Sequence, residues 1–172
     1  MRKMILFIIL AIIVLHKSEA ADSEHGENNS LFKIGRSKDA NEIFYVVRTT
    51  SEGSLDLSDP VHIYWKKFTK NGVIEPLTRI QCAFAYGLNF LNRSTERADF
   101  QFVSYSKRTF SVRKTRDGRF RVFTIANGAE VEVERLFIQI DGGTFWFPKI
   151  SRVELHARIP EVGVSVVEII KP

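Results

Sequence analysis

The sequence predicts a mainly β protein: an antiparallel β-sandwich or flattened barrel of about nine strands, with one α-helix over residues 76–86. Three observations lead there. Short apolar or alternating runs recur between turn signals along most of the chain. Asp117-Gly118 and Asn127-Gly128 are dipeptides that close two-residue hairpins. After the N-terminal stretch, only Pro76–Tyr86 has helical spacing: Leu77, Ile80, Phe84 and Leu88 recur at three and four residues.

In chain order, 31–37 (LFKIGRS) reads as a first strand and Lys38–Asn41 as its turn. EIFYVVRT (42–49) is apolar on both parities, so it reads as a strand covered on both faces. Ser51–Pro60 is a loop, and its Asp56 and Asp59 suit turns rather than a calcium loop. VHIYWKKF (61–68) is a strand, closed by Lys70-Asn71-Gly72. Pro76 then fits the first position of the helix, and Gly87 a left-handed cap. Strands follow at 98–105, 109–115, 119–125, 129–140, 150–159 and 163–170. In 129–140 the apolar parity flips: Val131 and Val133 are odd, whereas Leu136, Ile138 and Ile140 are even. That flip requires a bulge or bend near Glu134–Arg135.

The first twenty residues have the layout of a secretory signal peptide. Arg2 and Lys3 precede the apolar run Met4–Leu15, and Ser18-Glu19-Ala20 offers small residues before a cut. Twelve apolar residues in a helix span about 18 Å, short of the roughly 30 Å hydrocarbon core. The expected organisation is a signal peptide at 1–20, a flexible polar leader at 21–30 and one β-rich domain at 31–172. The expected location is secreted or periplasmic, with no membrane span after cleavage.

The chain carries 25 Lys and Arg against 20 Asp and Glu, a net charge of +5. Residues 1–20 hold three of the cations and one acid, which leaves +3, too little to argue for nucleic acid. Cys82 is the single cysteine, so no internal disulfide forms. Between Ile80 and Phe84 on the expected helix, it reads as a buried core residue.

At RSKDANEIFY (36–45), PVHIYW (60–65) and AFAYGL (83–88) the chain resembles a bacterial family of exported domains of unknown function. That family has an Arg-Ser-x-Asn-Ala-Asn turn, a Pro-Val-x-x-Tyr-Trp strand and an Ala-Tyr-Gly helix end. Asp39 departs from the pattern, standing where the family has Asn. The resemblance runs from about Leu31 to near the C-terminus and implies one exported domain. It carries no activity, cofactor or catalytic residue.

No nucleophile elbow, phosphate loop or Cys–His pairing is present, and no cofactor is implied. His25, His62 and His156 lack the paired spacing of a zinc site, so no metal is expected. Glu154 and His156 share a strand face with Arg152 and Arg158 and form the nearest approach to an acid–base group. The one positive signal is a basic hairpin. Between Lys107 and Arg121 stand seven Lys or Arg and one acid, Asp117. A two-residue Asp117-Gly118 loop pairs Arg116 with Arg119 and Lys114 with Arg121, placing all four on one face. It also sets Val112 opposite Phe123, Phe110 opposite Ile125 and Glu134 beside Arg121.

Charged edge strands also protect sheets against aggregation, and like charges across a hairpin cost stability. The expected function is therefore a non-catalytic binding or interaction module of the cell envelope. Its candidate residues are Lys114, Arg116, Arg119 and Arg121, and its candidate partners are anionic envelope polymers or lipid head groups. The alternatives are a hydrolase of envelope material and a carrier of a small apolar ligand in a barrel pocket.

Overall fold

Eleven strands form a single curled sheet around an aromatic core, in a computed structural model that describes residues 29–144 and 147–171. The expected signal peptide at 1–20 and most of the expected leader at 21–30 lie outside the described residues. The strands are β1 (Ser30–Arg36), β2 (Asp39–Val47), β3 (Val61–Lys67), β4 (Val73–Pro76), β5 (Leu88–Arg93) and β6 (Arg97–Phe102). They continue with β7 (Tyr105–Lys114), β8 (Phe120–Ala126), β9 (Ala129–Gly143), β10 (Pro148–Arg158) and β11 (Ser165–Ile170). The mainly β expectation holds. Two strands were missing from it, β4 and β5.

The sheet is organised by β9, fifteen residues long. Its first part pairs antiparallel with β8, through Phe123–Glu132 to Ala126–Ala129. Its second part pairs parallel with β1, from Lys33–Arg135 to Arg36–Ile138. Along its other side it pairs with β10, and β10 with β11. Two wings therefore leave one side of β9: β8-β7-β6-β5, and β1-β2-β3-β4. The parallel pairing makes the sheet mixed rather than purely antiparallel.

The expected bulge lies where the parity flips. His156 pairs with Arg135 and Ala157 with Val133, so Glu134 is the extra residue. Val131, Val133 and Leu136 are all buried as a result.

The wings fold toward each other and aromatic rings fill the space between them. Phe32 stacks on Tyr45 at 4.3 Å between centroids, and Phe100 on Phe110 at 5.5 Å. Phe102 meets Tyr45, Phe100 and Phe110 edge-on. Such pairs add roughly 0.5–1.5 kcal/mol each beyond the area they bury. The two-sided character of β2 is real. Ile43, Tyr45 and Val47 enter this core, while Phe44 and Val46 pack with Tyr64 on the outer face. Lys33 and Lys66 lie over the Phe44 ring at 5.9 and 5.6 Å, so their stems help to cover that outer cluster.

The helix is shorter than its spacing suggests, and it is not a core element. Pro76 ends β4, opposite Tyr64 on an edge that needs no N–H from it. Thr78 then caps a single α-turn, α1 (Arg79–Gln81), through a reciprocal capping box with Gln81. Five residues in π geometry (Cys82–Tyr86) continue it. No residue of either piece is buried, and Ile80 and Phe84 are exposed at 48% and 78%. Cys82 is half-buried rather than buried, and the burial it has pushes its thiol pKa up.

Gly87 is extended, at φ −69° and ψ 163°, and so is not a left-handed cap. Its lack of a side chain has another cause: a Cβ there would stand 2.0 Å from the Cys82 carbonyl oxygen. Gly87→Ala is expected to cost roughly 2–3 kcal/mol, because backbone must move to admit the methyl group. A urea midpoint unchanged from wild type would contradict this.

Candidate anion-binding face

The β7–β8 hairpin closes differently from the two-residue loop. Thr115 N–H donates to the Arg119 carbonyl, and Gly118 N–H to the Thr115 carbonyl. Arg116–Gly118 thus form a three-residue loop with Gly118 left-handed at φ +81°. The Thr115 hydroxyl bonds the Asp117 carboxylate and, at 2.8 Å, the Arg119 carbonyl. The register slips by one residue: Arg113 pairs with Arg121, Lys114 with Phe120, and Ser111 with Phe123. The expected Arg116–Arg119, Lys114–Arg121 and Val112–Phe123 pairs are not made, nor is the Phe110–Ile125 pair. Val112 instead meets Val122 in the core, and Ile125 is exposed.

A one-residue slip changes faces. Arg113 and Arg121 point outward together. Lys114 turns to the inner side of the sheet, where its Nζ donates to the Gly53 carbonyl at 3.0 Å and lies over the Phe120 ring at 5.8 Å.

Acids on β9 hold most of the outward cations. Arg113 pairs with Glu130 at 2.8 Å and lies over the Phe123 ring at 4.0 Å. Glu132 Oε1 accepts from Arg121 at 2.9 Å and from Arg158 of β10 at 3.1 Å. Glu134 adds a looser contact to Arg158 at 3.7 Å. The residue beside Arg121 is therefore Glu132, not Glu134. This lattice explains how the sheet tolerates Arg113 directly opposite Arg121.

Arg121 also bonds Asp117 at 2.6 Å. Its bonds to Glu132, then to Asp117, push its pKa up. Asp117 is held well below the usual carboxylate range, first by the Thr115 hydroxyl, then by the Arg119 N–H and Arg121. A depressed folded pKa means that its contribution is complete above the unfolded value, about 4, and is lost as pH falls below that. The wild-type melting temperature is expected to drop faster below pH 4 than that of Asp117→Asn. Parallel acid profiles would contradict the assignment.

Arg116 and Arg119 stand exposed at the loop with no ion-pair partner among the described residues. Between this loop and the turn joining β10 to β11 lies an open groove of about 700 Å³. Arg113, Lys114, Arg116, Arg121 and Arg158 line it, with Phe123 among its apolar surface and Asp117, Glu132 and Glu161 as its acids. Arg119 lines a second hollow of about 380 Å³, shared with Arg121, Phe120 and Gly53. Of the four candidate residues, Arg116 and Arg121 meet in one groove, Lys114 borders it while its ammonium turns to the inner side, and Arg119 stands in the next hollow. Arg113 and Arg158 were missed. Arg158 joins only because β10 pairs with β9, which no local spacing reveals.

The Glu154–His156 group lies on the outer face of β10. Glu154 accepts from Arg152 at 2.8 Å and sits 3.1 Å from His156 Nε2. The Arg152 bond leads in holding Glu154 ionised. Among the described residues, no cluster of three or more His, Cys, Asp or Glu could hold a metal. Asp56 accepts from Ser58 N–H and hydroxyl, and Asp59 pairs with Arg48, as turn-forming acids do.

At the opposite mouth of the curl, the three stretches that carry the family resemblance meet. The Arg36 guanidinium lies 4.5 Å from the centre of the Trp65 ring and bonds Asp39 at 2.6 Å and the Tyr86 hydroxyl at 3.4 Å. Tyr86 meets Trp65 edge-on at 5.7 Å, and its carbonyl accepts from the Tyr45 hydroxyl at 2.7 Å. Asn41, buried, accepts from the Thr69 N–H and hydroxyl. These contacts join the β1–β2 turn, β3 and the helical segment into one clamp.

Fold and motifs together define a small domain with a curled β-sheet and one helical clasp. A family model matches residues 32–168, and the chain belongs to that family, the domain of unknown function DUF4833. No curated protein and no solved structure matches the chain.

Proposed function

We propose that the protein is a non-catalytic binding module whose groove takes an anionic group, phosphate or carboxylate, of a cell-envelope polymer. One observation carries this reading. Four arginine side chains, Arg113, Arg116, Arg121 and Arg158, converge on the groove, and acids behind them fix three of the guanidiniums in place. Fixed guanidiniums lose little entropy when they grip an oxyanion. Arg116, unpaired, is the cation left to answer the ligand's charge.

The rings that fill the space between the wings leave the apolar-carrier reading no support there.

The test is titration of the protein with soluble polyphosphate across a salt series, beside vesicles with and without anionic lipid. The expected result is polyphosphate binding that weakens steeply with salt and is lost in Arg116→Ser/Arg119→Ser. Binding to anionic vesicles alone would move the ligand to lipid head groups. Binding to neither at low salt would end the proposal.

A further inference from the structure

We infer that the free edge of β11 is an interface with a second copy of this chain, the two β11 strands pairing antiparallel across a two-fold axis at Val167. The inference does not rest on the groove's ligand, although the Glu161–Gly163 turn it uses also lines that groove.

Among the described residues the sheet has three edge strands, and two are guarded. Strand β4 is four residues long, with Glu75 and Pro76 among them. Strand β5 carries Asn89, Asn92 and Arg93 and an irregularity between Phe90 and Asn92. Arg93 also reaches the carbonyls of Leu57 and Ser58, which ties a loop to that end of β5. Short length, charge, proline and bulges are the devices that keep edges from pairing.

Strand β11 contains no proline and no bulge. It reads Ser165-Val-Val-Glu-Ile-Ile170, regular in its register with β10 and paired with no other strand among the described residues. Its one charge is turned inward and used: Glu168 pairs with Leu155 of the core face and takes two bonds from Arg108 of β7, at 3.0 and 2.6 Å. On the outward face Val167 and Ile169 are 52% and 58% exposed. A row of free backbone groups with β-branched side chains and no exposed charge is a template for another strand.

The occupant follows from the register. A two-fold axis normal to the sheet keeps each face on its own side, so residues of equal parity must pair. Centring on Glu168 would set two carboxylates against each other. Centring on Val167 sets Val167 against its twin, Glu168 against Val166 and Ile169 against Ser165. That register sets exposed Lys171 of each copy opposite Gly163 of the other, two residues from exposed Glu161, and so brings unlike charges near each other. Six residues a side fall short of the roughly 1,600 Å² of a standard interface, so the dimer is expected to be weak, micromolar rather than nanomolar.

Sedimentation equilibrium of the whole chain tests this. The expected mass rises from one chain to two as concentration increases through the micromolar range. Val167→Lys places two lysines opposite each other on the axis and is expected to hold the protein at one chain, with an unchanged circular dichroism spectrum. Lys171→Glu is expected to weaken pairing roughly tenfold, and adding Glu161→Lys to restore it. Ile125→Lys, equally exposed on β8, is the control and should leave the mass curve unchanged. A wild type that stays at one chain throughout, a Val167→Lys protein that still dimerises, or open growth beyond two chains would each overturn the inference.

Discussion

Trp65→Ala is expected to destabilise the protein by about 3–5 kcal/mol, the range of large aromatic truncations in cores. Trp65, on β3, is 2% exposed and meets Tyr86 edge-on. Arg36 and Lys67 lie over its ring at 4.5 and 4.6 Å, and its indole N–H donates to Gln81 at 3.4 Å. Removing the ring therefore leaves a cavity, strips two cations of their aromatic partner and unties the helical segment. Domains of this size hold only about 5–15 kcal/mol in total, so the variant should lose a large share of its stability. Trp65→Phe keeps the cavity mostly filled and should recover at least half of the loss. Urea denaturation of both variants checks the prediction. A Trp65→Ala loss below about 1 kcal/mol would show that the clamp contributes little to the fold.

Glu132→Gln should move two quantities in opposite directions. Its carboxylate is 14% exposed and receives both Arg121 and Arg158, so its neutralisation is expected to cost about 2 kcal/mol of stability. The groove meanwhile gains one unit of positive charge. That gain is worth on the order of 1 kcal/mol to a bound anion, about a fivefold tighter complex with polyphosphate. A purely structural Glu132 would give the first effect without the second. Unchanged polyphosphate binding in the folded variant would remove the groove as the site.

Sequence reading succeeded where local chemistry dictates the outcome. The parity flip in 129–140 demanded a bulge, and Glu134 supplies it. Asn127 and Gly128, at φ 49° and 82°, form the two-residue turn their identities favour. At Asp117-Gly118 the same rule failed, because the Thr115 hydroxyl bonds both Asp117 and the Arg119 carbonyl and closes a longer loop. That single residue of slip separated Lys114 from Arg121. A threonine two positions before Asp-Gly was the available signal.

Other features were not legible at all. The parallel pairing of Lys33 with Arg135 joins residues a hundred positions apart. Strand β4 is too short to show a period, and its Pro76 is equally at home at the start of a helix. The apolar face drawn through Ile80 and Phe84 points to solvent, since a helix of barely two turns cannot lay a full stripe on the sheet. The meeting of Arg36, Trp65 and Tyr86 could be seen only in three dimensions. Their stretches had been marked by family resemblance, with no hint that they touch.

The most direct measurement of the central claim is a map of backbone amide chemical shifts as isotopically labelled protein is titrated with polyphosphate at low salt. The account predicts saturable shifts concentrated at Arg113–Phe123 and at Arg158–Gly163, the two sides of the groove, fading as salt is added. Shifts centred elsewhere, or none at millimolar polyphosphate, would contradict it.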